Sequence, residues 1–145
     1  MKLVVLVFLG SMFAQGSFAC VDISGDYMMG AGIKIRYEQV ACESLTEKWC
    51  VDDCANVAGY TWPLNGQMIQ DGGNPSKWAS ITPEAETLRR TNLWESGTRY
   101  DGTLCWWKEL TYSKNEKNNL VVTFNLECPS RAGETKKQQV SEEWV

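Results

Sequence analysis

The feature that most constrains this chain is a two-residue alternation of apolar and polar side chains. It runs through residues 33–38, 104–112 and 120–127, with Lys108 as the exception in the second segment. Successive side chains of a strand point to opposite faces, so this period predicts half-buried β-strands rather than helices. Turn signals such as Asn65-Gly66 and Asp101-Gly102 separate the alternating segments. The pattern therefore predicts an all-β chain.

The alternation and the turn signals together divide most of the chain into short strands. The predicted strands cover about 23–29, 33–41, 47–51, 58–62, 67–70, 77–82, 87–95, 103–112, 120–128 and 137–144. Their short connections indicate an antiparallel up-and-down meander of eight to ten strands. Since closure removes exposed edges, we expect a closed barrel rather than a sandwich. Residues 20–145 are then one domain.

The N-terminus has the organisation of an export signal. Lys2 precedes an apolar run over residues 3–9, and the small residues Ser17 and Ala19 stand at −3 and −1 of a cut after Ala19. Residues 1–19 are therefore predicted to be a signal peptide, and the protein to be periplasmic or secreted. No later segment has the roughly 18 apolar residues of a spanning helix, so no transmembrane segment is expected.

The predicted first mature residue, Cys20, raises a second possibility, because bacterial lipoproteins also begin with Cys. Their signals usually have Leu at −3 and a small residue at −2. Ser17 and Phe18 occupy those places here. Plain export is therefore favoured over a lipid anchor at Cys20.

All six cysteines follow the predicted cut. They are Cys20, Cys42, Cys50, Cys54, Cys105 and Cys128. An even number in an exported domain predicts disulfides, with 15 possible sets of three bonds. Cys50 and Cys54 are close enough to bridge each other, and Cys42 could pair with either. A zinc site would need a second close pair, and the chain has no His, so no metal is predicted.

Composition excludes several classes of function. With 14 Lys+Arg against 18 Asp+Glu, the chain is acidic and has no concentrated basic stretch, which argues against nucleic-acid binding. The absence of His excludes Ser-His and Cys-His catalysis. There is no P-loop, and no spacing marks a pair of catalytic carboxylates. We therefore expect a non-enzymatic protein without a cofactor, of open oligomeric state.

Strand register suggests a binding site. Placing Leu88 opposite Leu110 puts Arg90 opposite Lys108 on the inner face. Two facing cations inside a barrel are unfavourable without an anion, which predicts a buried anion site with aromatic walls. Neutralisation by Glu142, or escape of both side chains to the wet barrel mouth, are the alternatives. The predicted ligand-binding residues are Tyr37, Arg90, Trp94, Trp106 and Lys108.

Strand register also predicts two features outside this site. Arg89 meets Glu109 on the outer face as an exposed ion pair. With Tyr112 opposite Leu120, Cys105 and Cys128 fall on opposite faces, so a bond between them would need a bulge.

The start of the first mature strand resembles a known family. Ser24-Gly25-Asp26-Tyr27 is similar to the Gly-x-Trp start of the lipocalin and avidin barrels, the calycins, with Tyr27 in place of their Trp. The resemblance implies an up-and-down barrel with a ligand or a partner at its mouth.

A second stretch is similar to the Ser-Gly-Ala-Arg/Lys-Tyr … Trp-x-Lys-Gly sequence of the bacterial inhibitors of C-type lysozyme. It comprises residues 96–102 followed by Trp106-Trp107-Lys108, with a spacing about two residues shorter and Glu109 in place of the Gly. In that family the Ser and the Lys reach the two catalytic carboxylates of lysozyme. The resemblance implies a partner-binding surface formed by Ser96, Arg99, Tyr100 and Lys108.

Three functions follow as expectations. The first is an exported, non-enzymatic binding protein for a small apolar or anionic ligand. The second is an inhibitor of a secreted hydrolase such as lysozyme. The third is a structural envelope protein with a filled interior.

Overall fold

A computed structural model describes residues 20–30, 32–51, 53–70, 77–93, 97–100, 103–129 and 133–145, with residues 97–100 described by their backbone alone. Within these ranges every regular element is a β-strand, which confirms the all-β prediction. The predicted signal peptide lies outside them. The strands are β1 (Gly25–Met28), β2 (Lys34–Val40), β3 (Ser44–Cys50), β4 (Tyr60–Pro63), β5 (Ile69–Gln70), β6 (Trp78–Pro83), β7 (Leu88–Asn92), β8 (Gly97–Tyr100), β9 (Thr103–Lys114), β10 (Leu120–Pro129) and β11 (Thr135–Trp144).

The strands form two antiparallel sheets. One has the order β1-β2-β3-β4, and the other has the order β11-β10-β9-β7-β6-β5. These ten strands match the ten predicted segments. The eleventh described strand, β8, pairs with β9 from Gly97 opposite Trp106 to Tyr100 opposite Thr103. It was not predicted, because Gly-Thr-Arg-Tyr shows no apolar alternation.

The prediction of a closed barrel is wrong, because the described strands do not form one continuous ladder. Single backbone hydrogen bonds link the sheets instead: Met28 N–H donates to the Val145 carbonyl at 2.8 Å, and Gly66 N–H to the Ile81 carbonyl at 3.0 Å. The edge strands β1 and β4 have only four residues each. Edges this short offer few backbone groups for pairing, which explains why the meander stays open at two places.

One core nevertheless serves both sheets. Along β10 every second residue is buried, as the alternation predicted. The largest fully buried side chains come from both sheets and include Ile35, Leu45, Trp62, Ile81, Leu88, Leu120 and Val122. Most of β11 is exposed, and its side chains are mainly polar, which suits an edge strand.

The Ser-Gly-x-Tyr start of β1 has a local structural reason. The Tyr27 hydroxyl donates to the backbone carbonyl of Ile23 at 3.0 Å, so the ring folds back over the chain before it. A Cβ on Gly25 would lie 3.0 Å from the Tyr27 hydroxyl, and Gly25 has a φ of +150°. The backbone conformation therefore favours glycine here, and the close Tyr27 ring leaves little room for a Cβ.

The predicted pairing of β7 with β9 is wrong by two residues. Leu88 lies opposite Tyr112 and Arg90 opposite Leu110, so Arg90 does not face Lys108. Arg89 still reaches Glu109, at 3.7 Å, and also Glu84, at 2.8 Å.

The pairing of β9 with β10 contains a β-bulge. Tyr112 lies opposite Val122 rather than Leu120, and Asn125 pairs with Glu109 while Leu126 pairs with Trp107. Lys108 is the extra residue, and it reverses which side chains of the preceding segment point inward. Cys105 and Cys128 are both buried as a result, and they form a disulfide. The bulge that this bond was predicted to need is present.

All six cysteines are bonded. The pairs are Cys20–Cys42, Cys50–Cys54 and Cys105–Cys128. Three disulfides in a small domain are typical of a protein that resides in an oxidising, exported compartment. The residues that the structure describes contain no helix with the length and apolar character to cross a bilayer.

An exposed carboxylate on β1 leads to a prediction about acid stability. Asp26 accepts from Arg36 at 2.5 Å and lies 3.3 Å from the Lys34 ammonium. The Arg36 hydrogen bond lowers the pKa of Asp26 to about 2, with a smaller contribution from Lys34. Stabilisation by Asp26 is therefore complete above its unfolded pKa, near 4, and is lost as the pH falls toward 2.

We expect Asp26→Asn to reduce the free energy of unfolding near pH 7 by at most about 1 kcal/mol, since these charges are exposed and screened. The difference from the wild type should vanish near pH 2. Urea unfolding of both proteins at the two pH values checks this. An equal difference at both would contradict an ionic origin.

Candidate functional site

A cavity of about 240 Å³ opens between the two sheets. The inward side chains of β9 and β10 form one apolar wall. A cluster of polar side chains, called the polar group below, faces that wall. The apolar members are Met29, Trp49, Trp107, Leu110, Phe124 and Trp144, and the polar ones are Tyr37, Glu47, Lys77, Arg90, Asn92 and Tyr112. This mixture of apolar walls and a few convergent polar groups is usual for a small-molecule site.

The polar group is organised by a buried ion pair between Glu47 of β3 and Arg90 of β7. Arg90 Nη1 lies 3.3 Å from Glu47 Oε2, and the two side chains are only 10% and 9% exposed. Arg90 Nε also donates to Asn92 Oδ1 at 3.0 Å. The guanidinium lies over the Trp62 ring, 4.5 Å from its centroid, in a cation–π contact. Arg90 is therefore held on several sides.

The carboxylate that neutralises Arg90 is not Glu142, the candidate that the sequence offered. Glu142 Oε2 accepts from the Trp144 indole at 3.0 Å, and Glu47 pairs with Arg90. Glu47 could have been identified because it has the inward parity of Leu45, which is an unusual place for a carboxylate. Its partner could not, because the two residues are 43 positions apart.

Two buried tyrosines complete the polar group. The Tyr37 and Tyr112 rings make an edge contact with their centroids 5.9 Å apart. Burial raises the pKa of both phenols, that of Tyr37 well above the ordinary value. Both therefore stay protonated at neutral pH and serve the cavity as neutral hydroxyl groups.

Because the folded pKa values of these two phenols lie above the unfolded value near 10, the stability they contribute is intact below that pH and is lost as the pH rises further. We expect phenolate absorbance from Tyr37 and Tyr112 to appear only as the protein unfolds at alkaline pH. Ultraviolet titration alongside circular dichroism checks this, with Tyr112→Phe as the control that removes one delayed phenol. Full titration of every tyrosine in a folded protein would contradict it.

Further hydrogen bonds hold the rim and the wall in place. The Trp49 indole donates to the Glu47 carboxylate, although the Trp49 ring is 48% exposed at the rim. Asn92 Nδ2 donates to the Trp107 carbonyl at 3.4 Å. The polar side chains of the cavity are thus linked by hydrogen bonds across three strands.

Some of the predicted ligand-binding residues line the cavity and others do not. Tyr37 and Arg90 line the cavity. Lys108 does not: its side chain is 41% exposed and lies 3.9 Å from Glu127. The predicted Arg90/Lys108 anion site is therefore wrong, because the register is shifted and Lys108 is the bulged residue. Trp94 lies outside the described residues.

The bulge also exchanges the roles of two adjacent tryptophans. Trp106, predicted to face inward, pairs with Glu127 and is not among the cavity residues. Trp107 lines the cavity instead and packs against Phe124, with the ring centroids 5.6 Å apart. Among the described residues its buried indole N–H has no hydrogen-bond acceptor.

Three of the four residues predicted to bind a protein partner lie on or beside the paired strands β8 and β9. Arg99 and Tyr100 belong to β8, and Ser96 lies outside the described residues. Lys108 follows the part of β9 that pairs with β8 by two positions. Its exposure leaves its ammonium available to solvent.

Within the part of the chain that the structure describes, no cluster of His, Cys, Asp or Glu has the arrangement of a metal site. Among the residues that the structure describes, the charged side chains lining the cavity are Lys77, Arg90 and Glu47.

Comparison of the chain with protein-family models, with curated proteins and with solved structures found no match. The likeness of residues 24–27 to the calycins, and of residues 96–108 to the lysozyme inhibitors, stays a prediction based on those residues.

Proposed function

We propose that this chain is an exported, non-enzymatic binding protein whose cavity takes a small ligand with an apolar body and an anionic group. The observation that carries the proposal is the cavity itself, which has about 240 Å³ of space, apolar walls and the charged side chains of Lys77, Arg90 and Glu47 in its described lining. A space of this size suits a molecule such as benzoate rather than a large cofactor. A structural protein with a filled interior fits it less well.

The two cations have different parts in this proposal. Arg90 is fixed by Glu47 and Asn92 and provides a constant positive charge at depth. Lys77 also lines the cavity and provides a second cation on a flexible side chain. The apolar body of the ligand then contacts Trp107, Leu110 and Phe124.

The single carboxylate of the described lining supports binding rather than hydrolysis. Paired-carboxylate mechanisms need a second acid within reach, and Glu47 is already engaged by Arg90 and Trp49. The bond between Cys20 and Cys42 supports plain export, because a lipid thioether would need the same Cys20 sulfur.

A pair of charge-matched variants tests the proposal. We expect benzoate to bind the wild type more tightly than neutral benzyl alcohol, since only benzoate engages the cations. Lys77→Gln should weaken benzoate binding about threefold to tenfold. Lys108→Gln, which makes the same charge change outside the cavity, should leave it unchanged. Isothermal titration calorimetry measures all four affinities.

The absence of any benzoate binding would contradict the proposed ligand class. Equal losses in Lys77→Gln and Lys108→Gln would show a general charge effect and not a site.

One observation favours a second candidate, inhibition of a secreted lysozyme. The bulge directs Lys108 outward beside the β8–β9 hairpin, where it can approach a carboxylate of a partner. In a lysozyme assay this candidate expects inhibition by the wild type and by Lys77→Gln, and its loss in Lys108→Gln and Ser96→Ala. A wild type that does not inhibit removes the candidate.

A further inference from the structure

We infer that the ligand is an amphiphile whose apolar tail leaves the cavity past Trp49 and lies in a second groove on the outside of the β2–β3 end. This inference rests on the proposed function and specifies the class of ligand. The groove has a volume of about 250 Å³, comparable with the cavity, and is lined by Gly32, Ile33, Trp49, Cys50 and Val51.

Trp49 is the structural link between the two spaces, because it forms a wall of both. Its indole N–H is bonded to the buried Glu47 carboxylate, while about half of the side chain is exposed. The ring therefore extends from the polar group to the surface in a fixed orientation. Consider a ligand whose anionic end lies near Lys77 or Arg90 and whose chain is too long for the cavity. Its chain meets the Trp49 ring where it leaves the cavity.

The chemistry of the groove suits an apolar chain. Its described lining contains no charged side chain. Ile33 is 41% exposed and Val51 is 92% exposed, so apolar surface is available for burial. Gly32 has a φ of +75° and adds no side chain to the groove, and no described atom beyond its chain neighbours lies within 4 Å of where its Cβ would be. Continuity with the charged cavity through Trp49 favours the tail of the same ligand over an independent partner.

Straight-chain carboxylates of increasing length provide the test. Butyrate is short enough to lie within the cavity, whereas the extended chain of dodecanoate is long enough to reach past it. Each methylene that becomes buried raises affinity by about three- to fourfold. We expect calorimetric affinity to rise from butyrate through octanoate to dodecanoate, measured below micelle-forming concentrations. A flat dependence on chain length would overturn the inference.

Surface variants locate the tail. Ile33→Ser and Val51→Ser should each weaken dodecanoate binding by about threefold or more and leave butyrate binding unchanged. Val40→Ser is the matched control, because Val40 is also exposed, at 62%, and lies at the opposite end of β2. It should change neither affinity.

The outcomes separate the two proposals. Failure of every carboxylate to bind contradicts the cavity function. Binding of butyrate together with dodecanoate affinity that ignores both groove variants contradicts the groove alone. If Ile33→Ser and Val51→Ser instead abolish self-association in light scattering without changing dodecanoate binding, the groove covers a second copy of the chain and the inference is wrong.

Discussion

Replacement of Arg90 by Met is expected to lower the free energy of unfolding by about 3–5 kcal/mol. Met keeps much of the side-chain volume but leaves the Glu47 carboxylate in a buried position without the guanidinium, 3.3 Å away in the wild type. The substitution also removes the cation–π contact with Trp62 and the bond to Asn92. Urea denaturation followed by tryptophan fluorescence measures the loss.

The double variant Glu47→Gln/Arg90→Met separates charge from packing. Gln has no charge but keeps an acceptor for the Trp49 indole, so we expect the double variant to regain much of the stability that Arg90→Met loses. If the double variant is as unstable as the sum of the two single variants, the pair is not coupled and the description of the polar group is wrong.

Removal of the Cys105–Cys128 disulfide in the double variant Cys105→Ala/Cys128→Ala should cost about 3.5 kcal/mol through loop entropy. The bonded residues are 23 positions apart, so the bond removes many conformations from the unfolded chain. Both cysteines are also buried in the core beside the bulge, and the smaller alanines lose packing there. Thermal and urea unfolding of the oxidised proteins measure the change.

The Cys50–Cys54 bond is the internal control, because it closes a loop only four positions long. Its removal in Cys50→Ala/Cys54→Ala should cost about 2 kcal/mol on the same entropic account. A larger loss from the short loop than from the long one would show that strain or packing, and not loop length, determines the contribution of these bonds.

The parts of the fold that could be predicted were those that depend on side-chain parity. Alternation is a property of each segment by itself, and ten predicted segments correspond to strands of the structure. For the same reason Tyr37 and Arg90 were correctly expected on the inner face. The short β8 strand carries no alternation and was missed.

Register could not be predicted, because sliding a strand by two residues leaves every side chain on the same face. The hydrophobic pattern of β7 and β9 therefore does not distinguish Arg90 opposite Lys108 from Arg90 opposite Leu110. Packing decides between them, and in the structure Tyr112 lies between Leu88 and Val122.

The bulge at Lys108 changed the candidate site more than any other feature. One extra residue in β9 exchanges inward and outward positions before it, so Trp107 and Cys105 face the interior in place of Trp106. Whether a bulge forms depends on the backbone hydrogen bonds that both partner strands can make. The sequence of one strand does not contain that information.

The sequence by itself determined that this chain forms strands, which of their residues carry apolar side chains to one face, and that six cysteines would be paired. Those properties are local, or follow from residue counts. Only the tertiary structure decided that Glu47 meets Arg90, that the strands form two sheets around one core, and that the cysteines pair as they do. Each of these depends on which distant segments pack together, because burial and electrostatic pairing are properties of the assembled core.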